Sequence, residues 1–266
     1  MLAGKKGLVV GIANDKSIAF GCAMAFAAAG AELAVTYLNE KADRHVRPLA
    51  DKVGSSLVLP LDVTKEGEME RVFDSLGDHW GSLDFLMHSI AFAPRDDLHG
   101  EVLNSSAAGF ALAMDVSCHS FVRMAHHGAK LMRNGGAMLT VSYYGAEKYI
   151  ASYGIMGPVK AALESTVRYL AAELGPKNIS VNAISPGPIP TRAASGIDHF
   201  DVLLADAAGR APEHRLATID EVGAAAAFLA SPAARSITGT TLHVDAGFHV
   251  VGSAVTHPTF VAAAAE

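Results

Sequence analysis

Cysteine and charge are both scarce in this chain, and no stretch is apolar for long enough to matter to a bilayer. Cys22 and Cys118 are the only cysteines in 266 residues. They stand in apolar or helical surroundings with no paired spacing, which excludes a disulfide framework and reads as small buried thiols in a reducing compartment. Charged residues make up 18% of the chain and basic ones are in the minority, for a formal net charge of −6. That balance excludes the basic face a nucleic-acid binder needs to neutralise phosphates. Windows of ~18 or more uninterrupted apolar residues are missing, so no membrane span is expected. The opening residues 1–6 run straight into a strand-like segment without the apolar region or cleavage site of a signal peptide, and a cytoplasmic location is expected. Internal repeats and Pro/Ser-rich linkers are absent too. Histidine is plentiful at twelve, yet none of it has metal-ligand spacing. His126 and His127 are adjacent and diverge on a helix, His88 ends a strand, and no metal site is expected.

What is present is core. Half the residues are hydrophobic, enough to bury a large interior within one domain. Short β-rich runs at 7–11, 32–37, 57–63, 83–88, 137–142, 179–184 and 241–244 alternate with helical patterns. Those patterns cover 17–30, 40–53, 66–80, 106–132, 152–174 and 220–229. The alternation predicts an α/β fold: a Rossmann-type doubly wound parallel sheet with helices on both faces, in a single domain spanning 1–252. Residues 253–266 show no pattern.

The first strand ends in Gly11 and a helix begins near Ser17, the βα turn at which backbone N–H groups and a helix N-terminus can meet a pyrophosphate. The glycines do not spell GxGxxG, so an ordinary turn with Ser17 as N-cap is the competing reading. Two later signals weigh against it. Asp62-Val63 follows the third strand, where a carboxylate can accept from an adenine amino group. Ser89-Ile90-Ala91 follows the fourth, again at the carboxyl edge. The second strand ends Thr36-Tyr37-Leu38-Asn39, with neither the arginine of many NADP sites nor the acid of many NAD sites. Lys41 and Arg44 fall on the solvated face of the next helix, and NADH is the favoured cofactor.

Hydride reduction of a carbonyl or enoyl group needs a donor to the developing oxyanion and a cation to hold the cofactor ribose. Two Tyr/Lys pairs compete after the fifth strand. Tyr144 and Lys148 have Tyr-x3-Lys spacing. Tyr153 and Lys160, separated by six residues, span about two helical turns and so share a face. Context selects Tyr153 and Lys160: Lys160 opens an unbroken helical pattern through Ala161, Leu163, Val167 and Leu170, with Pro158 near the helix start.

With these residues in view, the chain resembles bacterial enoyl-[acyl-carrier-protein] reductases, divergent short-chain dehydrogenase/reductases with the wider Tyr-x6-Lys spacing. The resemblance runs from about residue 4 to 252. It rests on Gly11 with Ser17-Ile18-Ala19-Phe20-Gly21, on Leu61-Asp62-Val63, on residues 88–94, on Ser142-Tyr143, on 153–160, on 181–189, on 193–197 and on Val244-Asp245-Ala246-Gly247-Phe248. It implies NADH-dependent reduction of the trans-2 double bond of enoyl-acyl-carrier-protein thioesters in fatty-acid synthesis. Hydride would reach C3 while Tyr153 hydrogen-bonds the thioester oxygen and stabilises the enolate, which is protonated at C2. Lys160 would hold the nicotinamide ribose. The dinucleotide would lie on Gly11, Ser17, Ile18, Asp62, Val63, Ser89, Ile90, Ile189 and Thr191, with Leu38 near the adenosine in place of a polar residue. Tyr143, Ala93, Met156 and Phe200 would line the substrate site. A substrate-binding loop over about 188–212, and a homotetramer joined through apolar helices around 110–132 and 163–174, follow from the same likeness.

The chain departs from the family pattern at Ala91, where glycine is common, and at Pro186 and Pro190. The first predicts weakened binding of the ring-shaped inhibitors that stack there; the prolines stiffen the loop that grips carrier-linked substrate. Two other readings stand beside this one: a short-chain dehydrogenase acting on a ketone or hydroxyl through Tyr144 and Lys148, and a non-catalytic dinucleotide sensor.

Overall fold

In the computed structural model, which describes residues 1–191 and 200–252, the apolar runs are strands of one sheet. In β1 (Lys6–Val10), Leu8 and Val10 face one side and Val9 the other, all fully or almost fully buried. A strand buried on both faces reads as a continuous apolar run. The chain continues through α1 (Ile18–Ala28), β2 (Glu32–Tyr37), α2 (Glu40–Lys52), β3 (Leu57–Pro60), α3 (Glu68–Trp80) and β4 (Phe85–His88). Then come α4 (Arg95–His99), α5 (Ala107–Met114), α6 (Ser120–Leu131), β5 (Gly136–Val141) and α7 (Met156–Leu174). The last elements are β6 (Ile179–Pro186), α8 (Phe200–Arg210), α9 (Ile219–Ala230) and β7 (Thr241–Val244).

The sheet order is β3-β2-β1-β4-β5-β6-β7 and every pairing is parallel. This is the doubly wound architecture expected from the alternation. Its direction reverses between β1 and β4, and the crevice for a ligand opens beyond the carboxyl ends of those strands. One core layer packs α3, α6 and α7 on the sheet through Phe73, Phe121 and Leu163. The other packs α1, α2 and α9 through Phe26, Leu49 and Val222. Helices α1 and α9 meet backbone to backbone, since a Cβ on Gly21 would stand 2.5 Å from the Ile219 carbonyl oxygen. That contact fixes where the amino end of α1 points.

Several boundaries differ from the sequence expectation. β3 stops at Pro60 instead of running to 63; it is an edge strand, and proline has no N–H to continue the ladder. The helix expected over 106–132 is α5 and α6 joined by a π turn, Asp115–His119. The helix expected from 152 starts at Met156, because Ser152 and Gly154 take left-handed φ values of 61° and 49°. α4 was not anticipated, being too short to show a period. Nor was α8, which makes the later part of the expected 188–212 loop helical. Residues 192–199, with the 193–197 motif, and the tail 253–266 lie outside the described residues. Among the described residues no helix is long and apolar enough to cross a membrane.

Candidate active site

A cavity of about 290 Å³ opens at the carboxyl edge of the sheet, between the ends of β4, β5 and β6 and the start of α7. Tyr153 and Lys160 both line it, with Tyr143 and Ser142 from the segment leaving β5. The structure brings this pair together by a different route from the one the spacing suggested. Tyr153 lies three residues before α7, not on its face. A turn carries it there: the left-handed Gly154 passes so close to Leu98 that a Cβ would stand 2.5 Å from its carbonyl oxygen. Tyr143 then meets the Tyr153 ring edge-on, centroids 4.9 Å apart and planes at 64°. Burial raises both phenols well above the ordinary tyrosine range, and nearby acids add to it. Both therefore stay protonated donors at neutral pH. The Tyr143 hydroxyl is buried and has no hydrogen-bond partner among the described residues.

Lys160 is 5% exposed and donates from Nζ to the Val141 carbonyl at 2.7 Å. Burial pulls its ammonium down to about 8, with Cys118 and Glu164 opposing. The competing pair separates. Tyr144 is buried in a satellite cluster against Phe248, at a centroid distance of 5.7 Å, whereas Lys148 is exposed. Neither lines the cavity.

The residues that the sequence reading assigned to a dinucleotide sit along the carboxyl edges of β1 to β4. Gly11 has φ of 113°, and a Cβ there would run into the Ser89 carbonyl, so the two strand ends approach as only glycine permits. Ser17 stands at the N-cap position of α1, but its side chain makes no capping hydrogen bond to the helix. Its hydroxyl donates to Asn14 O at 2.6 Å and accepts from Ala13 N–H at 3.4 Å, bracing the turn. Asp62 accepts from the Thr64 N–H and O–H through Oδ1, and its Oδ2 is 3.8 Å from Lys65. Val63 and Ile90 pack into the core, and Leu38 is 55% exposed beyond β2.

Of the residues singled out in the sequence, Ile18, Ala93, Tyr143, Tyr153, Met156, Lys160, Ile189, Thr191 and Phe200 share this cavity. Gly11, Ser17, Leu38, Asp62, Val63, Ser89 and Ile90 do not line it; they lie along the strand ends beside it. Sequence reasoning quoted Ser142 in a motif without giving it a role, and missed Leu203 on the cavity wall and the buried side chains behind it. Ser142 was within reach as the first residue after β5. The buried ones carried no pattern.

Those buried side chains form the back wall. In the π turn, Ser117 accepts from Phe92 N–H at 2.9 Å and donates to Phe92 O at 3.1 Å, clamping the Ala91–Ala93 wall from behind. Ser120 donates to Val116 O at 2.7 Å, so its oxygen must accept from His88 Nε2 at 2.8 Å. His88 therefore carries its proton on Nε2, and Nδ1 accepts from the Thr140 hydroxyl at 2.8 Å. Burial, helped by the Lys160 charge, drives this imidazole down to about 3. Among the described residues no group of three or more His, Cys, Asp or Glu is placed to hold a metal.

Residues 11–249 match the family model described as Enoyl-(Acyl carrier protein) reductase. The enoyl-[acyl-carrier-protein] reductase [NADH] 1 of Rhizobium meliloti is 45% identical over 252 residues, covering 95% of this chain and 93% of that protein. The crystal structure of the Anaplasma phagocytophilum reductase in complex with NAD superposes with a TM-score of 0.93 at 46% identity, covering 96% of this chain and 97% of that one. The Bacillus cereus enzyme with NADP+ and an indole naphthyridinone gives 0.93 at 44% identity, over 95% and 99% of the two chains.

The buried imidazole sets a measurable acid sensitivity. Unfolded, it takes up a proton below about 6.5; folded, it stays neutral down to about 3. The native state thus binds fewer protons between those values, and stability falls as pH falls, by up to about 1.4 kcal/mol per unit. Urea unfolding at pH 7 and pH 4 should show wild type losing about 2–3 kcal/mol more than His88→Gln across that interval. Equal losses in the two proteins would remove this role for His88.

Proposed function

This chain belongs to the enoyl-(acyl carrier protein) reductase family, and from that premise we propose that it reduces the trans-2 double bond of enoyl-acyl-carrier-protein thioesters with NADH. The observation that carries the reading is the cavity that Tyr153 and Lys160 line together, with the buried Tyr143 hydroxyl beside them. The residues present fit a dinucleotide. Gly11 leaves a cradle that a Cβ would fill, and the Lys160 ammonium, with one of its three donors on Val141, has two more for ribose hydroxyls. Bound there, NADH supplies a hydride to C3 of the enoyl chain. Tyr153, kept protonated by burial, donates to the thioester oxygen and stabilises the charge that gathers on it. The resulting enolate takes a proton at C2.

Gly11, Ser17, Ile18, Leu38, Asp62, Val63, Ser89, Ile90, Ile189 and Thr191 are proposed to hold the dinucleotide, and Tyr143, Ala93, Met156 and Phe200 the acyl chain. NADH is the preferred form: the relatives are named for it, and β2 ends without an arginine. Nearby, Arg44 turns its Nε onto the Lys41 carbonyl at 3.2 Å, on the exposed face of α2. A homotetramer in the reducing interior of a cell completes the proposal. The exposed Leu112 on α5 and Tyr169 on α7, at 36% and 70%, are candidate contacts.

The central test is NADH oxidation with crotonyl and acetoacetyl thioesters. Wild type should turn over the crotonyl substrate; Tyr153→Phe should lower kcat about 10²–10³-fold, and Tyr144→Phe should stay within a few-fold. A protein that prefers acetoacetyl thioester and depends on Tyr144 would be a ketone enzyme, and one that binds NADH but turns over neither would be a sensor. Ala91 is exposed on the cavity wall, so Ala91→Gly should bind diphenyl ethers more tightly than wild type; equal inhibition constants would refute the steric argument. Sedimentation velocity should report about four chain masses, and a monomer would overturn the assembly.

A further inference from the structure

Each reduction takes up one proton as well as one hydride, so a proton source is needed at the buried end of the cavity, where Tyr153, Lys160 and Ser142 line it. One buried acid adjoins that wall without having been given a role. Glu164 stands on α7 one helical turn beyond Lys160 and is 8% exposed. Its carboxylate makes no ion pair among the described residues. Instead, Oε1 accepts from the hydroxyl of Ser142 at 2.5 Å. Ser142 is 2% exposed, lines the cavity, and has its main chain fixed by an N–H donated to Ile184 O at 2.8 Å.

A hydroxyl has one proton and two lone pairs. While Glu164 is ionised, the Ser142 proton is committed to it and Ser142 can only accept from the cavity. Once Glu164 is protonated it can donate to Ser142, and the serine proton is released to point inward. The charges acting on Glu164 come from Glu147, His243 and Arg168; Lys160 and Tyr153 feel it from the cavity side. Glu147 and His243 form a pair at 3.2 Å, with the Glu147 side chain 43% exposed. Burial holds the Glu164 carboxyl above the usual carboxylate range, against the Ser142 hydrogen bond, so it retains a proton nearer to neutrality.

We propose that Glu164 and Ser142 form a proton relay that carries a solvent proton from the Glu147–His243 pair into the reduction cavity. The inference rests on the enoyl-reductase reading above. For each turnover, the Ser142 O–H bond breaks as its proton passes to C2 of the enolate. The Glu164 O–H bond breaks as its proton replaces the one lost by Ser142, and Glu164 is reprotonated from solvent through His243 and Glu147. One proton enters for each hydride delivered, and no other reactant is consumed. Glu164 acts through Ser142 and is a positioning residue.

Glu164→Gln keeps the shape and an acceptor for Ser142 but cannot pass a proton. With the full chain, NADH and crotonyl thioester, it should bind NADH as wild type does and lose about 10- to 100-fold in kcat. Its solvent deuterium isotope effect should grow while the effect of deuterated NADH shrinks, and the basic limb of the kcat–pH profile that deprotonated Glu164 produces should vanish. Ser142→Ala cuts the same relay with Glu164 intact and should give the same isotope pattern, which keeps the test open if the glutamine variant does not fold. Wild-type kcat and pH profile in either folded variant, or a loss of kcat with unchanged isotope effects, overturns the relay. Failure of wild type itself to oxidise NADH with crotonyl thioester would instead overturn the reading on which it rests.

Discussion

The bond from the Lys160 ammonium to the Val141 carbonyl is the constraint around which the cavity is arranged. Burying an unpaired ammonium costs several kcal/mol, and the depression of Lys160 to about 8 reflects that cost. It is tolerated because Val141 is the last residue of β5, where the chain leaves the sheet and a carbonyl can be offered to a helix side chain. The bond pins the first turns of α7 to the carboxyl edge of β5. With α7 fixed there, the turn before it has one place to go, and Tyr153 is carried against Tyr143. The proposed donor of the oxyanion hydrogen bond is thus positioned by a lysine seven residues later, through backbone and not through direct contact.

The opposite wall is held by hydroxyls. Ser117 fixes the main chain at Phe92 in both directions, and Ser120 orients His88, which in turn ties β4 to β5 through Thr140. Ser117 lies in the π turn and Ser120 opens α6 directly after it; the extra residue in that turn shifts the helix face and lets two buried side chains three residues apart reach different partners. A regular helix over 106–132 would keep them stacked on one face. This wall is neutral, with His88 uncharged, so the Lys160 ammonium is the positive charge facing the cavity from the buried side. That suits a site that gathers negative charge on a substrate oxygen.

The layered sheet was legible in the sequence because buried parallel strands are short apolar runs and helices such as α2, α3 and α6 between them are amphipathic. Errors fell where a local rule met a tertiary one. Pro60 ended an edge strand early, Ser152 and Gly154 delayed α7, and the π turn interrupted a helix whose apolar pattern ran straight through it. On the cavity side, side chains that carry chemistry announced themselves by type: a tyrosine and a lysine after a strand. His88, Ser117 and Glu164 did not, since a single histidine, serine or glutamate in a helical or strand pattern carries no spacing signal. Their roles come from the hydrogen-bond partners the fold places beside them.

The two tyrosine–lysine pairs show why spacing alone could not separate the readings. Tyr144 and Lys148 are four apart and joined by a backbone hydrogen bond from Lys148 N–H to Tyr144 O, so they share a helical turn. Even so, the tyrosine turns inward to Phe248 and the lysine outward to water. A hydrated ammonium at the surface gains little from a ribose hydroxyl, because water already satisfies its donors and screens its charge. Lys160 is out of water, and a hydrogen bond made there is worth more for that reason. Its burial requires the long helix of α7 behind it and a strand end in front. The stretch from 144 to 155 supplies the slack that lets a phenol come in from outside the helix to the same place. The wider spacing is therefore the length of chain needed for Tyr153 to reach a lysine already fixed by the sheet.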